Sequence, residues 1–201
     1  VLDSAVVAWP LTALMVAPSG AGAAALVLVG DRTRAHLDGR VARVPASVLV
    51  SGPSGAPGTR DLEPRAASLA YHLTGVEPDD IDCAELHDET AAAELAAYEA
   101  LQFVPAGQGP ELIDTGFTAL GGVMPVNTSG GMLSLGDLHG ASAVVQVCEL
   151  VAQLRGEAGE RQIAGAHTAV AMSRGPAEEP GQDVVGVTVL ASEEPRSPAG
   201  L

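Results

Sequence analysis

Apolar and polar positions along this chain switch between a helical and a two-residue period, and the switches mark its elements. From Asp61 onward a helical spacing runs through Ala67, Leu69, Ala70 and Leu73, opened by Pro64 and stopped at Gly75. Residues 76–81 form a turn into a short strand, 81–86. Asp88 or Thr90 can then cap an Ala-rich helix to about Gln102, with Leu95, Tyr98 and Leu101 as its buried side. A Gly/Pro-rich loop, 105–110, follows. Val144, Val147, Cys148, Val151 and Leu154 fall near i, i+3, i+4, i+7, which predicts an amphipathic helix over 143–155 that ends near Gly156 to Gly159. Two strands close the pattern, 167–173 and 183–190, the second alternating as Val185, Val187, Val189. Residues 174–182 join them as an acidic turn, and the end of the chain from 192 reads as a frayed tail.

The first sixty residues are different. They read as two short strands and a helix without a complete domain. Ala23-Ala-Ala-Leu-Val-Leu-Val29 is a continuous apolar run that fits a buried strand or a helix segment, and periodicity does not separate the two. A second apolar run, 44–50, is closed by Ser51-Gly-Pro-Ser-Gly-Ala-Pro-Gly58, the best candidate boundary in the chain. The division expected is 1–60, 61–192 and a tail, 193–201. A two-stranded sheet is marginal in water, so the first segment needs strands from elsewhere. The first segment is therefore expected to be completed by another polypeptide.

Between the Ala-rich helix and the helix over 143–155 lies Gly121-Gly-Val-Met-Pro-Val-Asn-Thr-Ser-Gly-Gly-Met-Leu-Ser-Leu-Gly-Asp-Leu-His-Gly-Ala141. Its glycines, with Pro125, Asn127 and Ser129, allow positive φ and tight bends that bring bare peptide groups close to a ligand. It feeds a helix N-terminus, where unpaired N–H groups and the helix dipole stabilise a carbonyl oxygen, carboxylate or phosphate. A glycine-rich connection that packs a helix on a sheet is the alternative reading.

Composition narrows the class. The chain has 201 residues, 47% of them hydrophobic, enough for one sizeable core or one domain and part of another. Ten Lys+Arg against 25 Asp+Glu leave a formal charge of −15, which repels polyanions and argues against nucleic-acid binding. Gly, Pro or charge interrupts every apolar run, so no membrane span is expected, and no leader is recognisable. Two cysteines do not make a disulfide framework, which favours a reducing, cytoplasmic setting. No metal site is expected.

Pro125-Val-Asn-Thr-Ser-Gly-Gly131, followed by Gly136 and Gly140-Ala141, resembles the thiolase superfamily, especially its sterol-carrier-protein-X-type thiolases. Cys83-Ala-Glu-Leu-His-Asp-Glu-Thr90 resembles the HDxF segment of that family, and Gln153-Leu-Arg-Gly-Glu-Ala-Gly159 its helix end. The resemblance implies an α/β fold, a layered α-β-α arrangement around a mixed five-stranded sheet. It also implies coenzyme A thioesters as substrates, with no permanently bound cofactor and with basic contacts to coenzyme A in upstream segments. The implied partners are a second thiolase-like chain completing the N-terminal half, or a homo-oligomer, and an OB-fold acyl-CoA-binding protein.

Thiolase chemistry needs a thiolate nucleophile, a base for the α-carbon and donors for the oxyanion. The resemblance makes His87 an oxyanion-hole donor beside Asp88, although Thr90 stands where the family has an aromatic residue. The histidine of the family's GHP motif is replaced by Asp137, its proline by Leu138, and a histidine returns two places on as His139. The cysteine of the C-terminal CxG motif is replaced by Ser173, which without an adjacent base does not do proton transfer near neutrality. Asp88, Asn127, Gly130, Gly131 and Gly175 are the substrate-binding candidates. Cys83 and Cys148 read as core residues. With both reactive positions altered, standard thiolysis is not expected. Two readings stand: acyl transfer or carbon–carbon chemistry on an acyl-CoA, such as retro-aldol cleavage of a 3-hydroxyacyl-CoA, or a degenerate subunit that scaffolds a catalytic partner or binds acyl chains for it.

Overall fold

The computed structural model describes residues 1–52, 62–175 and 183–193. In chain order the elements are β1 (Val6–Ala8), β2 (Leu11–Thr12), α1 (Asp31–Arg34), β3 (Ala42–Gly52), α2 (Leu62–Thr74), β4 (Cys83–Leu86), α3 (Ala91–Ala100), α4 (Gly109–Asp114), α5 (Gly131–Leu135), α6 (Ser142–Arg155), β5 (Thr168–Gly175) and β6 (Asp183–Ser192). The expected boundary, the turn between β5 and β6, and the tail fall mainly outside the described residues.

β3, β6, β5 and β4 form one mixed sheet in that order, antiparallel between β3 and β6 and between β6 and β5, parallel between β5 and β4. Among the described residues the sheet has four strands, not the expected five. Beside β4, where a fifth would lie, residues 124–127 make a single parallel bridge between Val126 and Ala84. Pro125 has no N–H to donate and Asn127 turns to a φ of 50°, so the bridge does not extend into a ladder. β3, from the first sixty residues, pairs with β6 along most of its length.

Both faces of the sheet carry packed side chains, although on the α6 side β3 is left open, with Leu49 75% exposed. On one, Val48, Val50, Val185, Val187 and Val189 pack with Ala66, Ala67 and Ala70 of α2 and Tyr98 of α3. On the other, Cys83, Ala169, Ala171 and Leu190 meet Leu150 and Leu154 of α6. Helix ends follow the sequence signals. Thr90, rather than Asp88, caps α3 by accepting the Ala93 N–H at 3.0 Å. Gly75 and Gly156, at φ of 70° and 77°, end α2 and α6 in the left-handed region.

Two expectations fail. α6 is rotated from the face predicted for it: Val144, Val147, Cys148 and Val151 are only partly buried, while Gln146, Glu149, Leu150, Gln153 and Leu154 turn inward. The polar residues are tolerated because they find partners, Glu149 with Arg161 at 2.9 Å and Gln153 with the Ile163 N–H at 2.8 Å. The apolar run 23–29 forms neither strand nor helix, and its Val27 and Leu28 are 90% and 79% exposed. Among the described residues no helix is long and apolar enough to cross a membrane, and no group of three His, Cys, Asp or Glu side chains could hold a metal ion.

Candidate functional site

The glycine-rich segment is anchored to the C-terminal end of β4 by side chains as much as by backbone. Ala84 N–H donates to Pro125 O at 3.1 Å and Asn127 N–H to Ala84 O at 2.9 Å. Asn127 Oδ1 then accepts the Leu86 N–H at 2.7 Å, so the side chain takes the place of the next peptide group in the ladder. Its Nδ2 is buried and has no partner among the described residues. A buried amide donor without a partner is costly, and its normal resolution is a ligand or water oxygen.

Asp88 is buried, and its carboxylate accepts the N–H groups of Met132 at 2.7 Å and Leu133 at 3.2 Å. Asp88 thus supplies an anion from within the chain to the start of α5, a short helix inside the glycine-rich segment and not the helix over 143–155 at which an anion is expected. Burial raises the Asp88 carboxyl to about 6 against those hydrogen bonds. Gly130 and Gly131 are required by this geometry. Both have positive φ, and a Cβ on Gly131 would stand 2.1 Å from Asp88 Oδ2. Three residues earlier, on β4, buried Glu85 accepts the Ser129 N–H at 3.0 Å and the Ser129 hydroxyl at 2.6 Å. Burial, opposed by Ser129, moves its carboxyl up to about 7.

Four candidates meet. His87, His139, Ser173 and Gly175 all line a cleft of about 540 Å³ between the ends of the sheet strands and the start of α6. A second cleft of about 470 Å³ runs along the Ala93, Ala96 and Ala97 side of α3. His87 and Arg174 line both clefts, so they form the wall the two share. Desolvation holds the His87 imidazole below its ordinary value, with Arg174 acting the same way against Glu89 and Asp137. His87 is therefore neutral at pH 7 and donates or accepts a hydrogen bond without carrying charge.

Asp137 Oδ2 lies 3.2 Å from His139 Nδ1, and Asp137 Oδ1 accepts the His139 N–H at 2.7 Å. Partial burial would raise this carboxyl, but the His139 hydrogen bonds and the Ser142 hydroxyl outweigh it and hold it below the usual aspartate value. The pair is an oriented imidazole on a cleft wall, the arrangement that serves a general base. The Ser173 hydroxyl is hydrogen-bonded to Gln146 Oε1. Asp88, Gly130 and Gly131 lie together behind this wall rather than on it. Cys83 is buried with its thiol pushed up to about 12 by desolvation first and by Asp82, Glu85 and Glu149 next. Neither cysteine lines the two clefts.

Sequence reasoning passed over Glu85, Gln146 and Arg174. Arg174 was legible as the neighbour of Ser173, and it pairs with Glu63 of α2 at 3.3 Å. Gln146 was not, because it lies off the apolar face by which α6 was recognised.

Residues 59–180 match the family described as Thiolase C-terminal domain-like. The chain belongs to the thiolase superfamily. It is 38% identical over 170 residues to sterol carrier protein 2 of Bos taurus, covering 80% of this chain and 31% of that protein. To an acetyl-CoA acetyltransferase of Methanothermobacter thermautotrophicus it is 39% identical over 172 residues, 83% of this chain and 45% of the other. The thiolase-superfamily chain thus spans less than half the length of either relative. Its fold matches that of the Ltp2-ChsH2(DUF35) aldolase with a TM-score of 0.75 at 20% identity, over 94% of this chain and 50% of that one.

Proposed function

We propose that this thiolase-superfamily chain handles acyl-CoA thioesters by carbon–carbon bond cleavage or formation rather than by standard thiolysis. The observation that carries the reading is a cleft lined by a neutral His87, by the Asp137-oriented His139 and by Ser173, which stands where the family's C-terminal cysteine is expected. Retro-aldol cleavage of a 3-hydroxyacyl-CoA fits these groups. His139 removes the proton of the 3-hydroxyl, C3 becomes a carbonyl as the C2–C3 bond breaks, and the electron pair moves to the thioester as an enolate. The His87 N–H stabilises that oxygen, and a proton delivered to C2 completes the acyl-CoA product. Asn127 lines neither cleft, so its partnerless Nδ2 stays outside this scheme.

The chain acts within a cytoplasmic complex in this reading. Its partner is a second thiolase-like chain or another copy of itself, together with an OB-fold acyl-CoA-binding protein. The exposure of Val27 and Leu28, in a run with the composition of a buried strand, supports a partner that covers it. The division expected at residue 60 does not follow the sheet, because β3 pairs with β6; in the same proposal the chain before β3 closes an N-terminal half that the partner completes, and β3 joins the C-terminal domain.

The test is acyl-CoA turnover by the purified native species, after light scattering and identification of every co-eluting chain. Retro-aldol activity lowered at least about 100-fold in His87→Ala and in His139→Ala is the expected result. Full turnover in both variants sinks the proposed roles. A degenerate subunit that scaffolds or binds acyl chains is the second reading, favoured by the Ser173 hydroxyl turned onto Gln146. Binding of acyl-CoA without turnover by any co-eluting complex would select it.

A further inference from the structure

Two buried polar side chains stand outside the reaction proposed above. Glu85 of β4 is 1% exposed and carries one Ser129 hydrogen bond on each carboxyl oxygen. Gln146 of α6 is 5% exposed, accepts the Ser173 hydroxyl on Oε1, and has an Nε2 with no partner among the described residues. Both line one cavity of about 20 Å³, together with Ser129, Ser142 and the apolar side chains of Met132 and Val145. A water needs roughly 10–15 Å³ and two to four polar partners. The volume admits one water, and the Glu85 carboxyl and the partnerless Gln146 Nε2 are polar groups of its lining residues.

We propose that this cavity is a one-water site joining the Glu85 carboxyl to the Gln146 amide, which makes Glu85 a positioning residue for the Ser173 hydroxyl at the cleft. An ionised carboxylate only accepts hydrogen bonds. With Glu85 ionised, the water donates to it and accepts from Gln146 Nε2. Gln146 Oε1 then faces Ser173 and accepts its O–H, leaving Ser173 lone pairs toward the cleft. When Glu85 takes up a proton from solvent, it donates to the water, and the water donates to the amide oxygen. The amide turns over, its Nε2 donates to Ser173 Oγ, and the Ser173 O–H is released toward the cleft. Ser173 thereby presents an acceptor in one state and a donor in the other.

The groups facing Glu85 favour titration in an accessible range. Glu149 reaches it from α6, itself paired with Arg161 at 2.9 Å, and Asp88 from the end of β4, held by the Met132 and Leu133 N–H groups. Burial first and these negative charges next raise the Glu85 carboxyl to about 7, while the Ser129 bonds oppose them. The functional sense of the switch rests on the cleft being the reaction site, but its existence does not.

The experiment follows the Gln146 side-chain amide of the native species by ¹H–¹⁵N NMR, its signals identified by their loss in Gln146→Met. Both amide resonances are expected to move with one midpoint near that of Glu85, and to stand still in Glu85→Gln. Resonances that do not move between roughly pH 5 and 9, or that still titrate in Glu85→Gln, would overturn the inference. If that variant does not fold, the wild-type titration alone decides. Turnover with a static amide removes this inference and leaves the proposed reaction. A titrating amide in a complex that turns over no acyl-CoA removes the reaction and leaves the switch.

Discussion

Replacing Glu85 by Gln changes one buried oxygen to an amide nitrogen of nearly the same size, so the variant isolates the cost of keeping a carboxyl there. Folding raises that carboxyl from an ordinary 4.5 to about 7, chiefly by desolvation. Between those values the folded chain holds a proton that the unfolded chain has released. Stability therefore falls as pH rises through that window and is level above it. At about 1.4 kcal/mol for each pH unit between the two values, the loss is about 3 kcal/mol. Glu85→Gln has no such loss and keeps an acceptor for the Ser129 N–H and a donor for its hydroxyl. At pH 8 the variant should melt above the wild type, by roughly 6–12 °C for a chain of this size. Near pH 4.5 the two should nearly coincide. Thermal unfolding of both proteins, followed by circular dichroism across pH 4.5 to 8, measures the difference directly. A gap that does not change with pH would refute the reasoning, because every other titrating group is common to the two chains.

Other outcomes follow from the same geometry. Gly131→Ala places a Cβ 2.1 Å from Asp88 Oδ2 at a φ of 61°, so it should cost about 3 kcal/mol through backbone strain and the displaced cap of α5, read by urea unfolding. Gln153→Leu strips partners from Thr128, Glu149, Arg161 O and the Ile163 N–H, and should cost about 2–4 kcal/mol in the same assay. Because burial lowers the His87 pKa, the imidazole should stay neutral below the ordinary histidine range as pH falls, and Glu89→Gln should lower its midpoint further by removing a charge that favours the imidazolium; an NMR titration of the His87 ring with the same midpoint in Glu89→Gln would count against that.

The sequence by itself determined the elements that local chemistry controls. Thr90 at a helix start, Gly75 and Gly156 at helix ends, and the alternation of Val185, Val187 and Val189 act over a few residues, and the structure reproduces them. The motif around Asn127 determined the superfamily, because its glycines and asparagine answer to backbone conformation at that point. The tertiary structure decided what depends on residues far apart. Asp88 could cap α3 or α5 by composition, and only the approach of Gly131 through a loop more than forty residues later assigns it to α5. Which face of α6 turns inward was set by partners that Gln153 and Glu149 find on the segment beyond Gly156, and an apolar stripe carries no record of those. The fifth strand is reduced to one bridge because Pro125 and Asn127 meet β4 with the wrong backbone for a ladder. Glu85, Gln146 and Ser173 share a site for the same reason: burial and hydrogen-bond satisfaction are properties of the packed chain, not of any stretch of it.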